Sequence, residues 1–422
     1  MNSNSQVNEW ILGILLCKAV AAIASITAIV FVALAMPPAQ AQTYTVLYRF
    51  AGLTDGGEPY GGLRLDPAGN LYGTTLYGGA HRCIDLGCGV VFKLDTTGKE
   101  TVLYNFNGGA SGARPVSGLI RDSQGNLYGT TDVGGDNRCC GTVFELDTAG
   151  TYTVLHSFKT HPDASRPLSP LLRDAAGNLY GTTWLGGVFD NGAVFKVDTT
   201  GNETVLYSFT GKTDGMWPLA GLIRDASGNL YGTTELGGDL NGACGSVGCG
   251  VVFKLDPTGT ETVLYSFTGR ADGAESVAPS LRDKAGNFYG TTGFGGDLTC
   301  SPPNGCGVVF KLDVTGKETV LYAFKGSPTD GNEPHGGVIH DAAGNFYGTT
   351  YRDGAYGFGT VFKLDANGVE TVLYSFRNGA DGSFPNAGLI RDAAGNLYGT
   401  TVAGGKAGCL GSGCGVVFKV TP

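Results

Sequence analysis

Beyond residue 41 this sequence shows no helical periodicity, no apolar segment longer than seven residues and no clustering of lysine or arginine. The first absence excludes a helical bundle and the second excludes a membrane-spanning helix in that region. With a formal charge of −9 and scattered basic residues, the chain offers no electrostatic footprint to a nucleic-acid backbone, so nucleic acid is not expected as a partner. Glycine makes up 72 of 422 residues without any G-X-Y period, which excludes collagen, and an aromatic content of 10% argues against disorder. No G-x-S-x-G, H-E-x-x-H or phosphate loop occurs, so none of those catalytic or nucleotide-binding devices is available.

What is present begins with a leader. Lys18 precedes the apolar run AVAAIASITAIVFVALA (19–35), followed by two prolines and the A-x-A site Ala39-Gln40-Ala41. This reads as a signal peptide over 1–41, cleaved before Gln42, with 42–422 as the mature domain and no membrane association after cleavage. An uncleaved anchor is the competing reading, because the apolar stretch from Trp10 approaches spanning length.

The mature sequence repeats G-N-L/F-Y-G-T-T seven times, with tyrosines at 72, 128, 180, 231, 289, 347 and 398 and gaps of 56, 52, 51, 58, 58 and 51 residues. Such a period marks a stack or ring of units that cannot bury their apolar faces alone. Each repeat holds four short apolar segments; in the fourth these are AGLIRD (220–225), NLYGTT (229–234), GVVFKLD (250–256) and ETVLYSF (261–267). Two of the three connections within a repeat are tight Asp/Gly turns, so the unit is a four-stranded antiparallel meander. The mature chain opens on a fourth-type segment, TYTVLYRF (43–50), and finishes on the first three. The expected fold is therefore all-β: a seven-bladed β-propeller whose N-terminal outer strand completes the C-terminal blade and removes the free edge.

The pattern GNLYGTT…GG…GVVFKLDxxGxETVLYSF resembles the tandem-repeat family of secreted bacterial proteins known as GloVer or Gloeo/Verruco repeats, across essentially all of 42–422. The GLIRD-xxx-GNLYGTT portion is also similar to propellers of the NHL type. The resemblance implies export and surface display or release, and brings no catalytic residues. Members of that family often carry a C-terminal sorting segment; the sequence departs from this, with a strand running to Pro422, and surface anchoring is not expected on that ground.

Variation concentrates in two loop classes expected on one face of the disc. One joins the second and third strands; the other joins successive repeats and carries D-G-x-x-P variants such as DGGEP (55–59), DGMWP (214–218), DGNEP (330–334) and DGSFP (381–385). All ten mature cysteines lie in the first class. Cys83/Cys88, Cys244/Cys249, Cys300/Cys306 and Cys409/Cys414 are spaced to close their own loops as disulfides, which persist in an exported chain. Without C-x-x-C pairs or neighbouring histidines, a zinc site is not expected there, and no metal or cofactor is assigned. Cys139-Cys140 is left open between reduced, strained and otherwise bonded states.

The residue after each GTT differs between repeats: Leu76, Asp132, Trp184, Glu235, Gly293, Tyr351 and Val402. These positions are expected to rim the channel, and Trp184, Trp217 and Tyr351 are the candidate ligand-binding residues, aromatic where packing does not demand it. His335 and His340 flank the first strand of the sixth repeat, while His156 stands as a packing variant where other repeats have Tyr. The arginines at 121, 173, 224, 282 and 391 either ring the channel or pair with turn carboxylates. D-x-x-G-N lacks the alternating acidic ligands of a calcium loop and reads as a turn. Three functions follow: an exported binding or adhesion module for a glycan or peptide, a lyase or hydrolase using His335/His340, or a structural surface protein. Diversified loops without a catalytic constellation favour the first, and no catalytic residue is assigned.

Overall fold

Period-two alternation of Val, Phe, Leu and Tyr with polar residues produces seven four-stranded antiparallel sheets, arranged as blades in a ring. The computed structural model describes residues 42–422 apart from 84–85, 137–138 and 277–280; the expected signal peptide lies outside these residues. In blade four the strands are Ile223–Arg224, Leu230–Thr233, Val251–Leu255 and Glu261–Ser266, counted from the inside outward. No helix among the described residues is long and apolar enough to cross a membrane. The innermost strand is shorter than the six residues its motif suggested. Its leading carbonyl is engaged by the neighbouring blade instead of by a strand partner: the Thr182 hydroxyl of blade three donates to Ala220 O at 3.1 Å.

That threonine contact is one of two devices repeated at every blade junction. The first threonine of each GTT donates to a carbonyl of the next blade, as in Thr74 to Ser117 O (2.9 Å) and Thr233 to Ser276 O (2.8 Å). The second device is a pair of phenylalanines. The Phe following each fourth strand meets the third-strand Phe of the next blade edge-on, with Phe209–Phe253 centroids 5.1 Å apart and Phe106–Phe144 5.4 Å apart. All these rings are fully buried. The third-strand ring packs against the glycine of YGTT, where a Cβ at Gly73 would stand 2.6 Å from Phe92 Cζ. That contact explains why the motif is Tyr-Gly-Thr-Thr rather than a run of β-branched residues.

Ring closure uses the same parts. Thr43–Arg49 pairs as the outer strand of the last blade beside Val416–Thr421, Phe50 N–H donates to Gly415 O at 3.1 Å, and Phe50 meets Phe92 at 5.1 Å. The seventh junction thus matches the other six, and the first and last blades leave no free sheet edge between them.

The D-x-x-G-N segments are turns. Asp225 accepts the backbone and side-chain N–H groups of Asn229 at 2.9 and 2.8 Å and the Tyr231 hydroxyl at 3.0 Å, so its carboxylate is filled by the chain itself. The arginines follow neither expected role. They lie on this turn face beside their own turn glycine, and Arg173 and Arg282 stack over Tyr128 and Tyr231 of the preceding blade at 5.3 and 4.9 Å. Among the described residues none of the five forms an ion pair, and Arg173 and Arg282 clasp the preceding blade through an aromatic face.

Near the rim of the disc a third contact joins the blades. At four junctions a fourth-strand Tyr donates to the Asp of the following loop, as in Tyr48 to Asp55 and Tyr207 to Asp214, both 2.9 Å, and a Glu of the next blade packs beside that Asp. Burial first, and the adjacent Asp second, push Glu100, Glu261 and Glu318 up to about 7 and Glu370 up to about 8. Turn aspartates move the other way: burial alone would raise Asp341, yet hydrogen bonds from Asn345, Tyr347 and Ala343 hold it at about 2. Raised glutamates keep protons in the fold that the unfolded chain releases above 4.5, so stability falls as pH rises from there through 7. Depressed aspartates lose their contribution as pH falls below 3.8. The melting temperature is therefore expected to peak between these limits, near pH 4–5, and to decline toward pH 8. Changing Glu100, Glu261, Glu318 and Glu370 to Gln should flatten that decline; a wild-type profile rising from pH 5 to pH 8 would contradict the assignment.

Candidate functional site

Besides its glycines, each loop joining successive blades places a non-glycine residue in the left-handed backbone region at one equivalent position. These are Glu58, Arg114, Arg166, Trp217, Glu275, Glu333 and Phe384, with φ between 55° and 59°. Six of the seven precede proline, which by itself pushes the preceding residue toward extended backbone. Two hydrogen bonds override that preference. Trp217 N–H donates to Asn191 O of the preceding blade, and Trp217 O accepts Glu235 N–H, both at 3.0 Å. Equivalent bonds hold Glu58 between Cys414 O (2.8 Å) and Leu76 N–H (3.0 Å), and the pattern recurs at the other five. The residue after each GTT is therefore always the partner of a left-handed residue. Such backbone costs about 1–3 kcal/mol per position, and persists where surrounding structure imposes it.

All seven left-handed residues are half-buried, and their side chains connect with the post-GTT residues into a circuit. Arg166 grips the buried Asp132 through two bonds of 2.8 and 3.1 Å, with Arg114 3.5 Å from the same carboxylate. The Arg166 guanidinium also covers the Trp184 ring at 4.6 Å, and Trp184 meets Trp217 edge-on at 5.7 Å. Beyond Trp217 come three carboxylates, Glu235, Glu275 and Glu333, each within electrostatic reach of the next. Glu333 pairs with Arg352 at 3.1 Å. Tyr351 stacks on His335 at 4.9 Å and meets Phe384 at a tilt at 5.2 Å, and its field reaches Glu58 and Tyr60, which leads back to Arg114.

The circuit is electrically uneven. Arg114 and Arg166 against one Asp132 leave a surplus positive charge at blades two and three. On the other side burial, then Glu275, pushes Glu235 up to about 7, and burial, then Glu333, raises Glu275. Burial lowers His335, so that it is neutral at pH 7, with Nδ1 3.2 Å from Asn386 Oδ1. Paired carboxylates with one poised near neutrality can exchange protons, and the flanking aromatic rings can stack on apolar faces.

Disulfides support this ring from below. Cys83–Cys88, Cys244–Cys249, Cys300–Cys306 and Cys409–Cys414 are bonded as their spacing suggested, and Cys139 is bonded to its neighbour Cys140. The carbonyl of each second cysteine accepts the N–H of the next left-handed residue, for example Cys88 O from Arg114 at 2.9 Å and Cys249 O from Glu275 at 3.0 Å. In blades three and six, which have no cysteines, Asn191 and Phe358 supply that carbonyl.

Trp184, Trp217 and Tyr351 thus all belong to the circuit, the tryptophans touching each other and Tyr351 sitting in a separate aromatic group. His335 and His340 are not brought together. His335 faces Asn386, Glu333 and Tyr351, whereas the exposed His340 contacts Asp341 O and lines a cleft of about 640 Å³ on the turn face with Tyr289, Lys311 and Asp365. His340 apart, most of the wall of that cleft recurs from blade to blade, so it has less individuality than the circuit. Glu58, Arg114, Arg166, Glu275, Glu333 and Phe384 went unassigned from sequence. Their signal was a variable residue, never Gly, at one fixed place before Pro or Ser.

The family profile described as Gloeobacter/Verrucomicrobia repeat matches residues 32–245 and 241–422. No curated protein matches the chain. Among solved structures it is similar to the extracellular domain of a proposed one-component system from B. thetaiotaomicron, with 16% identity and a TM-score of 0.53 over 90% of this chain and 41% of that one. A proposed 6-phosphogluconolactonase from Bacteroides uniformis aligns at 14% identity and a TM-score of 0.48, over 74% of this chain and 84% of its own. These likenesses concern the fold, and the chain spans less than half the length of the first.

Left-handed strain gives a direct check. Glu58→Gly should be more stable than Glu58→Ala by about 1–2 kcal/mol in urea unfolding, because only glycine adopts this backbone without a Cβ penalty. Equal stability, or a more stable alanine variant, would show that φ is not imposed at this position.

Proposed function

The chain belongs to the Gloeobacter/Verrucomicrobia repeat family, and from that premise we propose that it is an exported binding module recognising a glycan or peptide at the mouth ringed by its left-handed residues. One observation carries this reading: seven blades hold the same strained position, and the residue there changes from Glu to Arg, Trp and Phe around an otherwise uniform ring. Strain retained seven times, on the one face whose loops vary, fits selection for what the side chains meet rather than for folding. Half-buried tryptophans beside a clamped arginine suit stacking on a sugar or aromatic peptide face, while the unequal charge suits a ligand with groups of both signs. The disulfides support maturation in an oxidising compartment, and the reading extends this to an extracellular or periplasmic location with surface association.

A second reading has a specific support in Glu235 and Glu275, neighbouring carboxyl groups of which the first is pushed up to about 7 by burial and by the second. A lyase or hydrolase would draw its general acid from this pair rather than from His335 and His340.

Glycan and peptide arrays with the mature protein test both readings. Replacing Trp184 and Trp217 by Ala should weaken binding of any array hit at least about tenfold, or 1.4 kcal/mol, with little loss of stability. Unchanged affinity would refute the site. Turnover of a hit that Glu235→Gln abolishes without loss of binding would favour the enzyme.

A further inference from the structure

We propose that His156, Asp163 and Glu203, at the outer junction of blades two and three, form a binding site for one divalent transition-metal ion. His156 lies in the fourth strand of blade two, Tyr152–Ser157, Glu203 in that of blade three, Glu203–Ser208, and Asp163 in the loop between them. The ring nitrogen and one carboxylate oxygen from each acid all lie within 4.8 Å of one another.

Comparison with the other junctions isolates what is particular here. Where Tyr occupies the position of His156, its hydroxyl reaches the loop aspartate, as Tyr207 reaches Asp214 Oδ2 at 2.9 Å and Tyr265 reaches Asp272 Oδ2 at 2.9 Å. Histidine is shorter, and its Nε2 stops 4.0 Å from Asp163 Oδ2. That separation is too long for a hydrogen bond, and two ligands at roughly 2.0–2.2 Å on one tetrahedral ion stand about 3.3–3.6 Å apart, so the pair would close by about half an ångström around the ion. His156 Nε2 is a buried atom without a hydrogen-bond partner, and it is this nitrogen that sets the junction apart, since Glu203 Oε1 is unpaired in the same way as its counterparts in Glu100, Glu261, Glu318 and Glu370. A buried imidazole nitrogen left unpaired opposite two acids is costly, and a shared cation satisfies all three groups at once.

The surroundings orient the ligands. His156 Nδ1 lies 3.3 Å from Gly201 O, so its proton sits on Nδ1 and the Nε2 lone pair faces the acids. An imidazole that donates its other N–H to a carbonyl is the usual arrangement behind a metal. Asp163 is held by Lys159 N–H at 2.8 Å on Oδ2 and Ala164 N–H at 3.0 Å on Oδ1, which leaves each oxygen further acceptor capacity. One nitrogen and two carboxylate oxygens suit Zn²⁺ or a similar first-row ion, with open positions for water. The other candidate cluster, Cys300, Cys306 and Asp353, is excluded because its two sulfurs are bonded to each other. The ion would tie blade two to blade three beside the loop that presents Arg166, which makes it a positional clamp for one side of the mouth.

The experiment uses the mature, disulfide-intact protein and Zn²⁺ alone by calorimetry, with Co²⁺ absorption as a second readout. One saturable equivalent of Zn²⁺ and a higher melting temperature are expected. His156→Tyr restores the residue of the other junctions, so it should fold while losing both the binding and the melting shift. Glu203→Gln should weaken binding at least about tenfold. Absence of saturable binding, or equal binding by the His156→Tyr variant, would overturn the proposal.

Discussion

The edge-to-face contact between two phenylalanines at each blade junction is the constraint on which the rest of the ring depends. A single four-stranded blade has two apolar faces and cannot cover either. The Phe after each fourth strand reaches into the next blade, and its partner lies on a glycine that no other residue could replace. Because the pair recurs with centroid distances of 5.0–5.4 Å at all seven junctions, the angle between blades is fixed and the ring closes without a special joint. The GTT threonines and the arginine–tyrosine stacks add direction to a contact whose energy is chiefly apolar burial.

Rigidity at the junctions is what permits strain at the mouth. Each left-handed residue hangs between a carbonyl of one blade and an N–H of the next, so it can relax only if two blades move apart. The disulfides act at the same place. They shape the short loops whose second cysteine supplies the carbonyl, and blades three and six reach the same geometry with Asn191 and Phe358. Side chains held in this way lose little entropy on meeting a ligand, which is why a variable circuit on an invariant ring suits recognition.

The blades, their turns, ring closure and four disulfides were legible in the sequence because each rests on local patterns repeated many times: alternation, Asp/Gly turns and cysteine spacing. The circuit was legible only in part. Trp184 and Tyr351 stood out because they follow an invariant GTT, and Trp217 because of its size. Glu58 and Arg114 did not, since the proline after each pointed to extended backbone, and only hydrogen bonds between blades reverse that. The arginines illustrate the same limit. Their neighbours in sequence are aspartates, but their neighbours in space are tyrosines of another blade, a distinction that tertiary structure alone makes. His156 was read as a packing variant because one substituted Tyr in seven repeats has no partner visible in sequence.

A double-mutant cycle at the closing junction tests the account most directly. Phe50→Leu and Phe92→Leu, singly and together, can be compared in urea unfolding with Phe209→Leu and Phe253→Leu at an interior junction. If closure is built from the same contact as every other junction, both cycles return a similar coupling of about 0.5–1.5 kcal/mol. Negligible coupling between Phe50 and Phe92, with normal coupling between Phe209 and Phe253, would mean that the ring is not closed in this way.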